Sequence, residues 1–258
     1  MGKKQEVLTE LFKVCKDRND YIFDNNLVKE ISKKFNFANP FDVTKLDNTS
    51  VFPKIMLDND YFIIHLGQGK HKFVKGIDNG FHKFEKIEKQ NIFNWKYRKS
   101  ILNEFDTSES NILSVVFNQR IIHDFLYEDI VASPKMYGSR RTKTSFEFNI
   151  GTEKIKAENL QMEIDLTTEY NGNVSIFEGK NKFPDNFAVY QIYFPFLYYY
   201  QLKEKNRLNI SEINCCYVLR DRNDDHSVIK IYQYTFSNPK DMTSIKLIKS
   251  HQYNLEKR

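Results

Sequence analysis

Glu163, Asp165, Glu178 and Lys180 are the residues of this chain whose types and spacing can do chemistry together. They lie within Gln161–Lys180, QMEIDLTTEYNGNVSIFEGK. Met162, Ile164 and Leu166 alternate with polar residues, Asn171-Gly172-Asn173 supplies turn chemistry, and Val174–Phe177 is rich in β-formers, so the stretch predicts a hairpin. A side-chain period of two puts Glu163 and Asp165 on one face of the first strand, and Glu178 and Lys180 on one face of the second. Three carboxylates and an ammonium then converge. Carboxylates held this close repel unless a cation sits between them, and an all-oxygen donor set suits Mg²⁺. The lysine adds a charge that can orient an attacking water or offset charge building on a phosphate oxygen. The alternative for the same residues is a solvated edge hairpin with ordinary surface charges.

Asp165, then twelve residues, then Glu178-Gly179-Lys180 resembles the D…ExK signature of the PD-(D/E)XK nuclease superfamily, and the chain around it resembles a type II restriction endonuclease. The resemblance implies Asp165 and Glu178 as Mg²⁺ ligands and Lys180 as the catalytic lysine. Ile164 stands where the motif's name has proline, which leaves Glu163 open as the first ligand instead. Related nucleases often place a polar residue on the helix after the motif. Gln191 is that candidate by position, although Pro195 stands where the Q-x-x-x-Y pattern has tyrosine. The helix before the motif often supplies a further acid; Glu109 is the acid near its start, and is read here as a surface residue favouring the helix dipole. The expected fold is α/β, a mixed central β-sheet flanked by helices as in restriction endonucleases. The expected reaction is Mg²⁺-assisted hydrolysis of a DNA phosphodiester, and cutting both strands of a symmetric site implies a homodimer.

The remaining elements must position that motif. Residues 5–16 read as an amphipathic helix, and Asn26–Phe35 as a second one capped by Asp24 or Asn25. A short helical segment is expected over Phe41–Leu46, then strands at Tyr61–Leu66 and His71–Val74 around Gly67-Gln68-Gly69. Helices followed by a β-hairpin are the order of a winged helix, so residues 1–95 are expected to form a winged-helix-like module and residues 96–258 the catalytic domain. Lys29, Lys33 and Lys34 on the second helix, with Lys70, Lys72 and Lys75 by the wing, would face phosphates. A purely structural subdomain with solvated lysines is the equal alternative.

A short strand is expected over Phe81–Glu85, and Glu109–Tyr127 has helical spacing throughout. Lys135, Arg140, Arg141 and Lys143, interleaved with Tyr137 and Gly138, form the densest basic run and are expected on a DNA-contacting loop. Phe146–Ile150 and Glu153–Ile155 suggest a short hairpin around Gly151. After Lys180 comes a strongly apolar helix in which Pro195 predicts a kink or break; its aromatic stripe reads as core or dimer interface. Strands at Ile213–Leu219 and Val228–Phe236, joined by a turn at Asp221–Asp225, complete the sheet, with a further strand at 243–249.

Composition narrows the function classes. With 40% hydrophobic residues and a net charge of +5, the chain can build a core and favours an anionic partner. It has no 18-residue apolar run and no apolar signal core after Met1, so a cytoplasmic protein without a membrane span is expected. Cys15, Cys215 and Cys216 lack metal spacing and read as buried small residues. No G-x-x-x-x-G-K-[ST] loop occurs, so no nucleotide cofactor is expected, and the six histidines form no ligand pair. Two other functions compete: a DNA-binding regulator without nuclease activity, and a repair or modification-dependent nuclease of the same superfamily.

Overall fold

The computed structural model describes residues 2–97, 100–101, 108–222 and 227–257. Helix α1 (Lys3–Asp17) buries the expected stripe of Val7, Leu8, Leu11, Phe12 and Cys15. Strand β1 (Ile22–Asp24) leads into α2 (Asn25–Lys34), which Asp24 caps by accepting from the Asn26 and Leu27 amides. The helix expected over Phe41–Leu46 is only a 3₁₀ turn, Pro40–Asp42. Instead a helix that the apolar pattern did not announce, α3 (Lys54–Asn59), forms and ends where Asp60 turns left-handed at φ 62°. Strands β2 (Tyr61–Gly67) and β3 (Lys70–Lys75) follow as a hairpin, and with β1 they form a three-stranded antiparallel sheet in the order β1-β3-β2.

A single turn, α4 (Ile77–Gly80), and β4 (Phe81–Lys83) lead to β5 (Ile92–Tyr97). Strand β5 pairs in parallel with the chain's last strand, Ile245–Lys257, at an edge of the large sheet, so its residues lie on both sides of position 95. Helix α5 (Glu109–Asn118) stops well before Tyr127. Arg120 adopts a left-handed backbone at φ 62° and its guanidinium turns to His123 Nε2 at 2.7 Å; a separate π-helical turn, His123–Tyr127, continues the apolar face. Because Ile121, Ile122 and Phe125 stay buried, the spacing reads through a break that the backbone does make.

The basic run is likewise not a loop. Lys135–Tyr137 is strand β6 and Arg140–Ile150 is strand β7, with Gly138-Ser139 alone between them. Strand β7 pairs with β8 (Glu153–Ile164) in a long hairpin around the expected Gly151 turn. Strands β9 (Leu166–Tyr170) and β10 (Asn173–Asn181) form a hairpin at the expected turn, closed by Asn171 and Gly172 at φ 51° and 81°, but its first strand starts only at Leu166: Met162, Glu163 and Ile164, expected on it, belong to β8. Positive φ at both central residues is the type I′ geometry for which Asn-Gly is suited. Strand β11 (Asn186–Ala188) precedes α6 (Tyr190–Glu204), which runs through Pro195 without ending. Strands β12 (Ile213–Arg222), β13 (Ser227–Phe236) and β14 (Ile245–Lys257) complete the chain; the turn expected at Asp221–Asp225 falls partly outside the described residues.

The central sheet is mixed and seven-stranded, in the order β5-β14-β13-β12-β10-β9-β6. One face, with Ile176, Cys215 and Tyr217, packs on α6, the β7–β8 hairpin and the N-terminal elements. The other, with Phe177, Cys216 and Val218, packs on α5 and the π-helical turn. Adjacent Cys215 and Cys216 thus bury on opposite faces, as a period of two requires. Among the described residues no helix is long and apolar enough to cross a membrane.

Candidate active site

Between Ile164 and Leu166 the chain changes sheets: β8 belongs to the two-stranded hairpin and β9 to the central sheet, and Asp165 occupies the one-residue bend between them. Its carboxylate accepts a hydrogen bond from the Gly179 amide at 3.3 Å, which holds it beside β10. Glu178 and Lys180 alternate along β10 onto the face covered by α6, and the Lys180 ammonium lies 2.9 Å from Glu178 Oε1. Gln191, in the first turn of α6, donates to the same Glu178 oxygen at 3.0 Å. Its carbonyl accepts from Tyr217 Oη at 3.0 Å, and Tyr217 is the register partner of Glu178 on the parallel strand β12. That contact fixes the orientation of the amide and directs its N–H groups at the acids.

Asp165, Glu178, Lys180 and Gln191 line a cleft of about 530 Å³ together with Glu163, Arg141, Glu109, Lys45, Asp47, His65 and Tyr190. Three of the acids meet other partners. Glu109 is the exposed first-turn acid that was expected, and its carboxylate in addition lies 3.1 Å from the Lys180 ammonium. Gly179 makes this approach possible, since a Cβ there would stand 3.2 Å from both the Glu109 carbonyl oxygen and Leu113 Cγ. Asp47, on the connection between α2 and α3, accepts from Gln191 at 3.3 Å. Glu163 is engaged from β7 and the turn before it, accepting from Arg141 Nε at 3.1 Å and Ser139 Oγ at 3.2 Å.

The electrostatics follow from four carboxylates gathered around one buried ammonium. Burial pushes the Glu178 carboxyl up to about 8; Lys180 opposes the shift and Asp165 and Glu109 add to it. Asp165 is also raised, first by burial, with the Gly179 amide and Lys180 holding it back. Burial alone would discharge Lys180, but Glu178, Glu109 and Asp47 outweigh it and keep the pKa above that of a free lysine. Lys180 is therefore a fixed ammonium at neutral pH. Among the described residues no three or more His, Cys, Asp or Glu side chains form a ready metal cage. Asp165 and Glu178 do fit Mg²⁺, which is held by one or two carboxylates and keeps several waters.

The basic residues are dispersed. Lys33 and Lys34 are exposed on α2, with Lys34 at 3.3 Å from Glu30. Lys135 lies 3.9 Å from Glu169. Arg140 stacks over Tyr198 and Tyr199 at 5.0 and 5.6 Å from the ring centroids. Of the run, Arg141 alone lines the cleft, while Lys143 lines a neighbouring cavity. The sequence reading did not single out Asp47, Lys45, His65 or Tyr217. Only Tyr217 carried a signal, because a strand in register beside β10 must place a residue opposite Glu178.

No curated protein and no solved structure matches this chain. Two families do. Residues 5–73 match the family described as Domain of unknown function (DUF6996). Residues 76–254 match Domain of unknown function (DUF6997), and by that extent the chain belongs to the DUF6997 family.

Proposed function

We propose that this member of the DUF6997 family is a Mg²⁺-dependent nuclease that hydrolyses phosphodiester bonds in double-stranded DNA, cutting at chosen sequences in the manner of type II restriction endonucleases. The observation that carries the reading is the gathering of Asp165, Glu178, Lys180 and Gln191 in one cleft, with Glu178 between the lysine at 2.9 Å and the glutamine at 3.0 Å. Asp165 and Glu178 would hold the ion, which when bound supplies Lewis-acid polarisation of the phosphate and a more acidic water. Asp165 is favoured over Glu163 as the first ligand because Glu163 is engaged by Arg141 and Ser139.

Lys180 does not serve as the base, since its carboxylate neighbours keep it protonated. It donates instead: to a water approaching phosphorus, or to the phosphate oxygen that gains charge as the new bond forms. Gln191 holds the shared Glu178 oxygen with one N–H, and Tyr217 keeps the amide from flipping. Asp47 accepts from the same Gln191 nitrogen that donates to Glu178, so the N-terminal region contributes to the working site.

The winged-helix reading of residues 1–95 is supported by the order α1, β1, α2, α3, β2, β3 and by the sheet order β1-β3-β2. Exposed Lys29, Lys33 and Lys34 give α2 a basic surface for phosphates. The homodimer is supported by the β6 edge, where Met136 and Tyr137 are exposed near exposed Ile130 and Val131. Digestion of a DNA of known sequence with Mg²⁺, followed by reading the fragment ends, tests the reading. Ends sharing one sequence are expected. Ends without a common sequence would move the protein to a non-specific or repair nuclease, and intact DNA would overturn the assignment.

A further inference from the structure

Alongside the acid cleft lies a second cavity of about 510 Å³, lined by His65, Gly67, Gln68, Gly69, Lys70, His71, Lys143, Asn159, Leu160 and Gln161. The two share His65, Leu160 and Gln161, so they form one continuous trough running along β8. One wall is the β2–β3 turn of the N-terminal region; the other is the β7–β8 hairpin. The walls are locked together. Gly67 has φ 81°, and a Cβ there would stand 2.0 Å from the Glu158 carbonyl oxygen, so the two backbones touch. Gly69 in turn abuts the Asn25 side chain at the start of α2.

The charges in this part of the trough are of one sign. Lys70 rises from the N-terminal wall and Lys143 from the hairpin wall, both exposed, and neither has an ion-pair partner among the described residues. Nearby lysines are already matched: Lys72 is paired with Glu153, and Lys156 lies 2.9 Å from Glu158, whose carboxylate also feels the Lys70 charge without forming an ion pair with it. The floor is polar but neutral. His71 Nε2 lies 2.9 Å from Asn25 Oδ1, so this nitrogen carries the proton and His71 Nδ1 is left as an acceptor. His65 Nδ1, 2.9 Å away, then donates to it, and His65 keeps a bare Nε2. Gln68, Asn159 and Gln161 add amides that both donate and accept.

We propose that this second cavity is a backbone subsite, in which Lys70 and Lys143 clasp phosphates of the DNA strand next to the one being cut, and the amides meet the sugar edges between them. The inference rests on the nuclease reading for its substrate, but not for its test. Two cations on opposite walls of a trough that opens into the acid cleft fit a polyanion passing through, where a compact metabolite would need an enclosed pocket with a matched set of partners. The site belongs to neither family-matching segment alone, since Lys70 lies in residues 5–73 and Lys143 in residues 76–254.

The test is binding of a mixed-sequence duplex to the full chain in chelator, followed by fluorescence anisotropy over a salt series, so that no cutting intervenes. Lys70→Gln with Lys143→Gln should weaken binding and flatten the dependence of log affinity on log salt by about 2, close to one per lysine. Lys13→Gln with Lys89→Gln, which removes the same charge from exposed positions outside both cavities, should leave the slope near that of the wild type. Equal slopes in the two double variants would overturn the subsite, as would failure of the wild-type chain to bind duplex. Mg²⁺-dependent cleavage is read in a separate assay. Cutting with an unaltered slope in the Lys70/Lys143 variant would sink the subsite and leave the nuclease standing, whereas binding with the expected slope but no cutting would do the reverse.

Discussion

Glu178 is pulled two ways, by burial and like charge toward the neutral acid and by Lys180 toward the carboxylate, and the balance leaves it titrating at about 8. The consequence for stability has a definite sign. In the unfolded chain this carboxyl loses its proton near 4.5, while the folded protein keeps it to about 8, so between those values the native state binds more protons. Metal-free stability should therefore fall as pH rises through that window, by at most about 1.4 kcal/mol per pH unit for this group. Asp165, also raised, adds to the slope in the same direction; Lys180, raised, stays charged throughout and adds none. Denaturant titrations from pH 5 to 8 in chelator should show the slope in the wild type and a flatter one in Glu178→Gln. A wild-type curve that rises with pH would show that the acids are not strained together. Asp165→Asn and Glu178→Gln should each lower cleavage by at least about 100-fold while metal-free melting temperature holds or rises. Ca²⁺, larger and looser in geometry, should support binding but little turnover, and good turnover in Ca²⁺ would count against a Mg²⁺-type site. Asp47→Ala should cost about 10-fold through Gln191, whereas Asp47→Asn keeps an acceptor and should retain most of the rate; equal loss in both would remove Asp47 from the positioning role.

The site is assembled by elements whose local sequences differ in how openly they announce themselves. The turn and second strand of the motif hairpin were legible because Asn171-Gly172 and the β-rich Val174–Phe177 agree on one register, and a one-residue slip would turn Glu178 away from α6. The Asp24 cap and the α1 stripe were legible for the same reason: local chemistry and apolar period point the same way. The sheet change at Asp165 was not. Leu160, Met162, Ile164 and Leu166 keep an unbroken period of two, so nothing in the spacing marks where pairing passes from β7 to β10. The basic run concealed two strands because its solvent-facing side is charged and its apolar side begins only at Phe146. Pro195 was expected to kink or break α6; the helix continues through it, with Phe194, Pro195, Phe196 and Leu197 all buried, and that packing offsets a cost for an interior proline of roughly 3 kcal/mol. The contact between β2 and β8 is the element-level weak point. Gly67→Ala meets both a positive φ and a 2.0 Å clash with backbone, so it should cost about 3 kcal/mol or more; Gly151→Ala, with a positive φ but open space, should cost only about 1 kcal/mol. Chemical denaturation of the two variants decides it, and equal losses would mean that the walls are not in contact.

For the whole molecule, the arrangement joins two family-matching segments around one cleft. Residues 5–73 supply Lys45, Asp47 and His65 to its lining, and residues 76–254 supply Asp165, Glu178, Lys180 and Gln191. The join is made where Thr49 N and the Asp47 carbonyl bond to Asn186 and Ala188 on β11, directly before the helix that carries Gln191. Sequence spacing has no access to such a join, because Asp47 and Gln191 are far apart in the chain and become neighbours only through the fold. DNA held by the N-terminal region would thus sit on the same rigid frame as the acids, which is the condition for cutting at a fixed distance from what is read. The most direct test is conversion of a supercoiled plasmid by the full-length protein, compared among wild type, Glu178→Gln and Lys180→Ala, each verified as folded by circular dichroism. Wild-type protein in Mg²⁺ should linearise the plasmid and stop in chelator, and both variants should leave it supercoiled. Cleavage that persists in chelator, or in both variants, would contradict a nuclease site at Asp165, Glu178 and Lys180.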